Sequence, residues 1–212
     1  MPADGSYVTN DVPSFMIDRL DDQVRLRFVG SDEVFYLTSE PASLGGRVLR
    51  YDTGDVALTV AGWGGVTLYT GEMPWGIPAE HQASLTAPMV PRPLAAKDMK
   101  PLADRLSKDV AQHGAFSVGF SADWDALEKQ AEPTRALAVD SMRNAAYALE
   151  QMANETERPA IAKGLHMVRV GPAAQPGVAV QRDSLVVSYS PQGGPSARPS
   201  SLAIAHALEE AF

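Results

Sequence analysis

Alternating apolar and polar residues recur twice in the first third of the chain, and this pattern constrains the fold more than any other feature. The runs Val24–Phe28 and Val56–Val60 both follow it. A period of two is typical of a half-buried β-strand. The turn-rich segments Gly30–Glu33 and Gly62–Gly65 follow these runs, and each leads into a further apolar run. The pattern therefore predicts two β-hairpins with short polar turns.

The two hairpins resemble copies of one unit. A shift of 32 positions aligns identical residues at Val24/Val56, Leu26/Leu58, Gly30/Gly62, Val34/Val66, Thr38/Thr70 and Glu40/Glu72. Shorter apolar runs, Phe15–Leu20 and Val48–Tyr51, lead into each half. The alternative is coincidence between two ordinary β-meanders. Residues 14–72 are thus predicted to form a duplicated antiparallel meander of six strands, arranged as a pseudo-two-fold sheet or partial barrel.

The remaining residues divide into a connection and a second region. Residues 73–94 are rich in proline and are predicted to be an irregular connection held across a hydrophobic surface. In residues 95–212 helical spacing replaces the period of two. An apolar stripe at 4-3-4-3 spacing consists of Ala138, Met142, Ala145, Leu149 and Met152. The chain is therefore an α+β protein, with helices packed on a smaller antiparallel sheet and both regions joined in one compact unit.

Composition excludes several classes of function. The formal charge is −8, and no stretch concentrates Lys and Arg as a nucleic-acid binder would. No apolar run approaches the roughly 18–20 residues that cross a bilayer. The chain has no cysteine, which excludes disulfides, thiolate metal sites and cysteine nucleophiles. We expect no nucleic-acid partner and no membrane span.

The sequence contains no complete catalytic or metal-binding motif. Asp52–Gly54 matches the tripeptide of aspartic proteases, but the corresponding Asp21–Gln23 lacks the Thr-Gly, and a hairpin turn explains the segment more simply. The four histidines, His81, His113, His166 and His206, show no metal-ligand spacing. The sequence predicts no catalytic residue, no cofactor and no metal ligand, although a site assembled from distant residues stays open.

Two tryptophans are the candidates for a binding surface. Trp63 lies in a predicted turn and Trp75 in the Pro-rich connection. Exposed tryptophan at loop tips is typical of binding surfaces. Burial of both rings in a shared core is the alternative.

Three phrases of this chain, Val24–Phe28, Gly64–Thr70 and Arg198–Leu202, resemble a family of unknown function. Its members are small proteins of Gram-negative bacteria that are generally made with export signals. The resemblance implies a periplasmic or secreted setting after signal removal, with the cytoplasm as the alternative. It carries over no functional residue.

The function that these observations favour is a non-catalytic binding or interaction protein of the bacterial envelope. Its partner would be a protein or a small-molecule ligand, and the sequence leaves the oligomeric state open. The alternative is a hydrolase-like enzyme. A deep pocket with convergent carboxylates or histidines would favour the enzyme, whereas a shallow groove rimmed by Trp63 and Trp75 would favour the binder.

Overall fold

The structure is a computed structural model that describes residues 1–10, 12–20, 23–83, 89, 94–114 and 116–212. The chain divides into two compact units, Met1–Val90 and Pro91–Phe212. The first consists of β-strands, and the second combines helices with a small sheet. The predicted α+β class is therefore confirmed. The packing of the two regions as one compact unit stays a prediction.

The first unit is a closed antiparallel barrel of eight strands. The strands are β1 (Gly5–Val8), β2 (Phe15–Leu20), β3 (Gln23–Phe28), β4 (Phe35–Pro41), β5 (Arg47–Arg50), β6 (Val56–Val60), β7 (Val66–Leu68) and β8 (Ile77–Ala83). Each strand pairs with the next along the chain, and β1 pairs with β8. The prediction of a β-meander is confirmed, but the described residues of this unit form eight strands instead of six. Closure by β1 and β8 leaves no open sheet edge.

The strand β8 corrects the predicted connection. It lies within residues 73–94, and Ile77 is its one buried residue. The strand is held by backbone pairing with β7 and β1, and its sequence lacks the alternation of apolar and polar residues that would have predicted it. Farther along, Met89 is buried, and its N–H donates to Asp18 Oδ2 at 2.5 Å. That the segment is held across a hydrophobic surface stays a prediction, because 84–88 and 90–93 lie outside the described residues.

Apolar and aromatic side chains fill the barrel. Leu26, Leu49, Leu58 and Leu68 are all fully buried. An aromatic row follows the wall, with ring-centroid separations of 5.2 to 6.3 Å between neighbours; its members are Tyr7, Phe15, Phe28, Phe35 and Tyr51. Offset and edge-on contacts of this kind add to the free energy that burial supplies. The barrel interior is therefore a packed core.

The two predicted copies agree in their first strands. Leu26 of β3 and Leu58 of β6 are both fully buried. Leu26 pairs with Phe35, whereas Leu58 pairs with Leu68, which is one residue farther than the 32-residue shift requires. A slip of one residue turns a strand's side chains to the opposite face. The second strands are therefore out of phase, and the duplication stays a prediction.

In the part of the second unit that the structure describes, five helices accompany a four-stranded sheet. Its elements are α1 (Ala96–His113), β9 (Gly119–Ala122), α2 (Trp124–Glu128), α3 (Glu132–Gln151), α4 (Arg158–Gly164), β10 (Met167–Pro172), β11 (Gly177–Gln181), β12 (Ser184–Tyr189) and α5 (Ser201–Ala211). Short 3-10 turns span Ser43–Gly45 in the barrel and Met152–Asn154 here.

The sheet of this unit is mixed, which corrects the predicted antiparallel sheet. Its strand order is β11-β12-β10-β9. The strand β10 pairs in parallel with both β9 and β12, and β11 pairs antiparallel with β12. The helices between β9 and β10 supply the crossover that parallel neighbours need. The sequence pattern of residues 178–189 is typical of a hairpin and predicts only the antiparallel pair of β11 and β12. The parallel pairs depend on crossover geometry, which no local sequence pattern predicts.

The long helix α3 forms the centre of the second unit. All five residues of its predicted apolar stripe are buried, with Leu149 fully so and Met152 1% exposed. The helix packs against α1, α5, β10 and β12. The stripe prediction is confirmed. At the start of α5, Ser200 caps the helix, since its Oγ accepts from the N–H of Ala203 at 3.1 Å.

Candidate functional site

Exposed apolar side chains distinguish the barrel from the second unit. Among the described residues, the large hydrophobic side chains that remain exposed are Met1, Leu20, Val29, Leu44, Trp63 and Trp75, all in the first unit. The most exposed are Leu44 at 97%, Trp63 at 87% and Trp75 at 73%. A single exposed hydrophobic residue needs no explanation, but neighbouring ones mark interaction sites.

The barrel places the two tryptophans at opposite ends. Trp63 lies between β6 and β7, and Trp75 lies between β7 and β8. Consecutive antiparallel strands run in opposite directions, so consecutive connections alternate between the ends of the barrel. Leu44, between β4 and β5, shares the end of Trp63. The two rings belong to separate surfaces of the barrel, and they do not form the two rims of one groove.

The β6–β7 connection is a tight turn built to expose one side chain. The N–H of Gly64 donates to the Ala61 carbonyl, and the N–H of Ala61 donates to the Gly65 carbonyl, both at 2.8 Å. Gly64 has φ +97°, a left-handed conformation that ends a three-residue hairpin loop. A Cβ atom at Gly65 would overlap the ring of Trp63. The ring therefore lies across a bare backbone and stays open to solvent.

The β4–β5 connection presents a leucine in an unfavourable backbone conformation. The N–H of Ala42 donates to the Gly46 carbonyl at 2.9 Å, and the N–H of Gly46 donates to the Ser43 carbonyl at 3.1 Å. Leu44 has φ +57° and ψ +33°. This left-handed conformation costs a residue with a Cβ about 1–2 kcal/mol. Burial does not offset that cost, because the Leu44 side chain is almost fully exposed.

The two turns lie side by side. A Cβ atom at Gly62 would overlap the carbonyl oxygen of Leu44, and the adjoining strands β5 and β6 are paired. Residues 42–46 and 61–65 comprise five glycines, two alanines, one serine, Leu44 and Trp63. We call these ten residues the glycine-rich tips. They carry no charge, so they present two large apolar side chains on a small neutral platform.

The other end of the barrel has a different chemistry. Its connections at 29–34, 51–55 and 69–76 contain five acidic residues, namely Asp32, Glu33, Asp52, Asp55 and Glu72, and no Lys, Arg or His. Trp75 and Val29 are exposed there. We call these three connections the acidic loops. Burial raises the pKa of the Tyr51 hydroxyl above its ordinary value, and the nearby Glu33 and Asp55 raise it further.

Asp52 is a turn residue, as the sequence predicts. The N–H of Tyr51 donates to the Asp55 carbonyl, and the N–H of Gly54 donates to the Tyr51 carbonyl, both at 3.0 Å. Gly54 takes φ +91°, and Asp52 is exposed at the tip. The hairpin interpretation of Asp52–Gly54 is confirmed. The comparison residues Asp21 and Asp22 lie outside the described residues.

Two ion pairs, one buried and one partly buried, were not predicted from the sequence. Arg25 Nη2 donates to both carboxylate oxygens of Asp18 at 2.7 Å, and Arg198 Nε donates to Asp140 at 3.2 Å. The first pair also holds the N–H of Met89. The only local signal for it was a charge in each of two neighbouring alternating strands, β2 and β3. Buried, hydrogen-bonded pairs of this kind position chain segments more than they bind ligands.

The described cavity does not resemble an enzyme site. It is an open depression of about 500 Å³ in the second unit, lined by Asp104, Ser107, Lys108, Ala111, Ser117 and Val118. Its lining offers one carboxylate and no histidine. His113 places Nδ1 3.0 Å from the Asp109 carbonyl oxygen at the end of α1. Within the described ranges, no group of three His, Asp or Glu residues could hold a metal ion.

Comparison with known proteins places the chain in a family. Over the part of the chain that the structure describes, no helix is long and apolar enough to span a bilayer. Neither a curated protein nor a solved structure matches this chain. A family model described as "Domain of unknown function (DUF4908)" matches residues 1–208, which is nearly the whole chain. The resemblance that the sequence phrases indicated is confirmed, and the chain belongs to the DUF4908 family.

Proposed function

We propose that this protein is a non-catalytic interaction protein that binds an apolar surface of a partner through the glycine-rich tips. The observation that carries the proposal is the conformation of Leu44, which is left-handed and 97% exposed. Glycine or asparagine would adopt that backbone more easily, and the exposed side chain contributes nothing to the core. A contact outside the described fold explains why a leucine suits this position.

The chemistry of the tips supports a protein partner. Trp63 and Leu44 offer a broad aromatic face beside an aliphatic side chain, and tryptophan is enriched where binding energy concentrates. The five glycines keep other side chains from competing for the same contact. A hydrolase-like enzyme, the rival proposal, lacks comparable support, since the depression beside Ser107 and Lys108 is shallow and has a single carboxylate.

We also propose that the protein works in the bacterial envelope, in the periplasm or outside the cell. A cysteine-free chain is compatible with an oxidising compartment, although it is equally compatible with a reducing one. Fractionation of cells that express the native gene tests this setting. Recovery of the protein with a periplasmic marker is the expected result, and recovery with a cytoplasmic marker would refute the envelope setting without touching the binding surface.

Selection from a phage-displayed random peptide library tests the binding proposal. We expect the full chain to enrich peptides rich in aromatic and aliphatic residues. Their affinity should fall at least tenfold for Trp63→Ser and for Leu44→Asn. Trp75→Ser is the matched control, because it removes an equally large exposed ring at the other end of the barrel. Peptides that bind Trp63→Ser and the unmodified protein equally well would contradict the proposal.

A further inference from the structure

We infer that the partner of the glycine-rich tips is a second copy of this chain. The inference rests on the proposed function and names its partner. It makes the protein a weak two-fold dimer in which the tips of one copy face the tips of the other. The argument depends on the arrangement of Leu44 and Trp63, on the distribution of charge along the barrel and on the area available.

The arrangement of the tips is self-complementary. Leu44 and Trp63 come from neighbouring turns, since the Gly62 backbone lies directly against the Leu44 carbonyl. A two-fold axis between the turns would place the Trp63 ring of one copy on the Leu44 side chain of the other, twice over. Isologous contacts of this kind are the commonest in homo-oligomers. No described residue covers either side chain in the single chain, where both are more than 85% exposed.

Charge favours contact through the tips over contact through the acidic loops. Residues 1–90 contain twelve acidic residues, five arginines and no lysine, which gives a formal charge of −7. Five of those acids lie in the acidic loops, whereas the tips have no charged residue. Two copies that meet through their tips keep the acidic loops apart, and this reduces the repulsion between like charges. The same negative charge disfavours an anionic bilayer, which attracts basic segments.

The available area predicts a weak dimer. Leu44 and Trp63 together expose on the order of 300 Å² of apolar side chain. Two copies with the surrounding small residues would bury roughly 800–1,200 Å², below or at the low end of stable interfaces. Association should therefore appear at micromolar to millimolar protein concentration and should be lost when either apolar side chain is removed.

Sedimentation velocity on the full chain, from about ten micromolar to one millimolar, tests the inference. We expect the unmodified protein to shift from monomer to dimer across this range. Trp63→Ser and Leu44→Asn should each weaken association at least tenfold. Trp75→Ser is the control and should associate as the unmodified protein does. All three substituted residues are exposed, so the variants should fold normally.

Three outcomes would overturn the inference. A dimer that persists in Trp63→Ser would show that another surface associates. A protein that stays monomeric at one millimolar, while selected peptides still bind its tips, would leave the proposed function intact and reject the second copy as partner. Co-sedimentation with phosphatidylcholine vesicles that is lost in Trp63→Ser would instead assign the tips to a membrane surface.

Discussion

The chain reverses direction at both ends of the barrel, but the connections at the two ends differ in their residues. The glycine-rich tips use five glycines in ten residues, carry no charge and expose Leu44 and Trp63. The acidic loops contain five acids and expose Trp75. They also lie beside Phe35 and Tyr51, whose rings meet edge to face at 5.2 Å. The acidic end thus has buried aromatic rings beside its exposed Trp75, whereas both large side chains of the tips are exposed.

The exposed side chains of Trp75 and Trp63 therefore lie in different chemical surroundings. Trp75 lies at the same end of the barrel as the acidic loops, whose carboxylates favour water and cations, as is ordinary at a polar protein surface. Trp63 lies in a turn that adjoins the turn of Leu44, on a neutral platform where a partner need not desolvate any charge. Exposure alone therefore does not single out a binding surface, and the proposed one rests on the neutral surroundings of Trp63.

Removing an aromatic side chain at the acidic end should have the largest effect on stability. Phe35→Ala leaves a cavity between Phe28 and Tyr51, and we expect a loss of about 3–5 kcal/mol in the free energy of unfolding. Chemical denaturation measures the loss. Trp75→Ala at the same end should change stability by less than about 0.5 kcal/mol. Equal effects of the two substitutions would mean that the aromatic row does not close the barrel.

Adding a methyl group at the glycine-rich tips should have an intermediate effect. The new Cβ atom of Gly62→Ala would overlap the Leu44 carbonyl oxygen, so one turn must shift. Overpacking of this kind costs about 1–3 kcal/mol. Gly71→Ala at the acidic end is the control, because no atom lies within 4 Å of the added Cβ. Denaturation curves that coincide for the two variants would show that the two tips do not adjoin.

Replacing Leu44 should raise stability slightly. In Leu44→Asn the left-handed backbone is occupied by a residue that tolerates it, and we expect a gain of about 0.5–1 kcal/mol in the free energy of unfolding. Val29→Asn, an exposed position at the other end, should show no such gain. A loss of stability in Leu44→Asn would mean that the leucine side chain supports the fold, which would remove the argument for its role in binding.

The smallest expected effect is a difference in fluorescence quenching, which reports the charge around each indole ring. In Trp63→Phe, emission from Trp75 should be quenched more by caesium than by iodide, because the acidic loops attract cations and repel anions. In Trp75→Phe, emission from Trp63 should show little preference between the two ions. The third tryptophan, Trp124, is common to both variants and cancels in the comparison. Identical preferences would contradict the electrostatic contrast between the ends.

Much of the architecture could be predicted from local patterns. Alternation in 24–28 and 56–60 identified β3 and β6, and the 4-3-4-3 spacing identified the buried face of α3. These predictions succeeded because a side chain's position on a strand or helix depends on the backbone period alone. The strand β8 was missed, since a strand with one buried residue has no period to detect. The candidate site was half predicted: Trp63 was named, and Leu44 was not.

The sequence by itself determined the α+β class, the strands with clear alternation, the helical stripe and the turn at Asp52–Gly54. Each of these depends on residues that are close together in the chain. Covalent structure and contact with solvent largely dictate the geometry of such residues. Tertiary structure decided that the barrel closes through β1 and β8, that the small sheet is mixed and that the turn of Leu44 adjoins the turn of Trp63. Those features depend on which distant segments of backbone pair with each other. The free energy that favours one pairing over another comes from contacts throughout the fold, so no single segment of sequence predicts it.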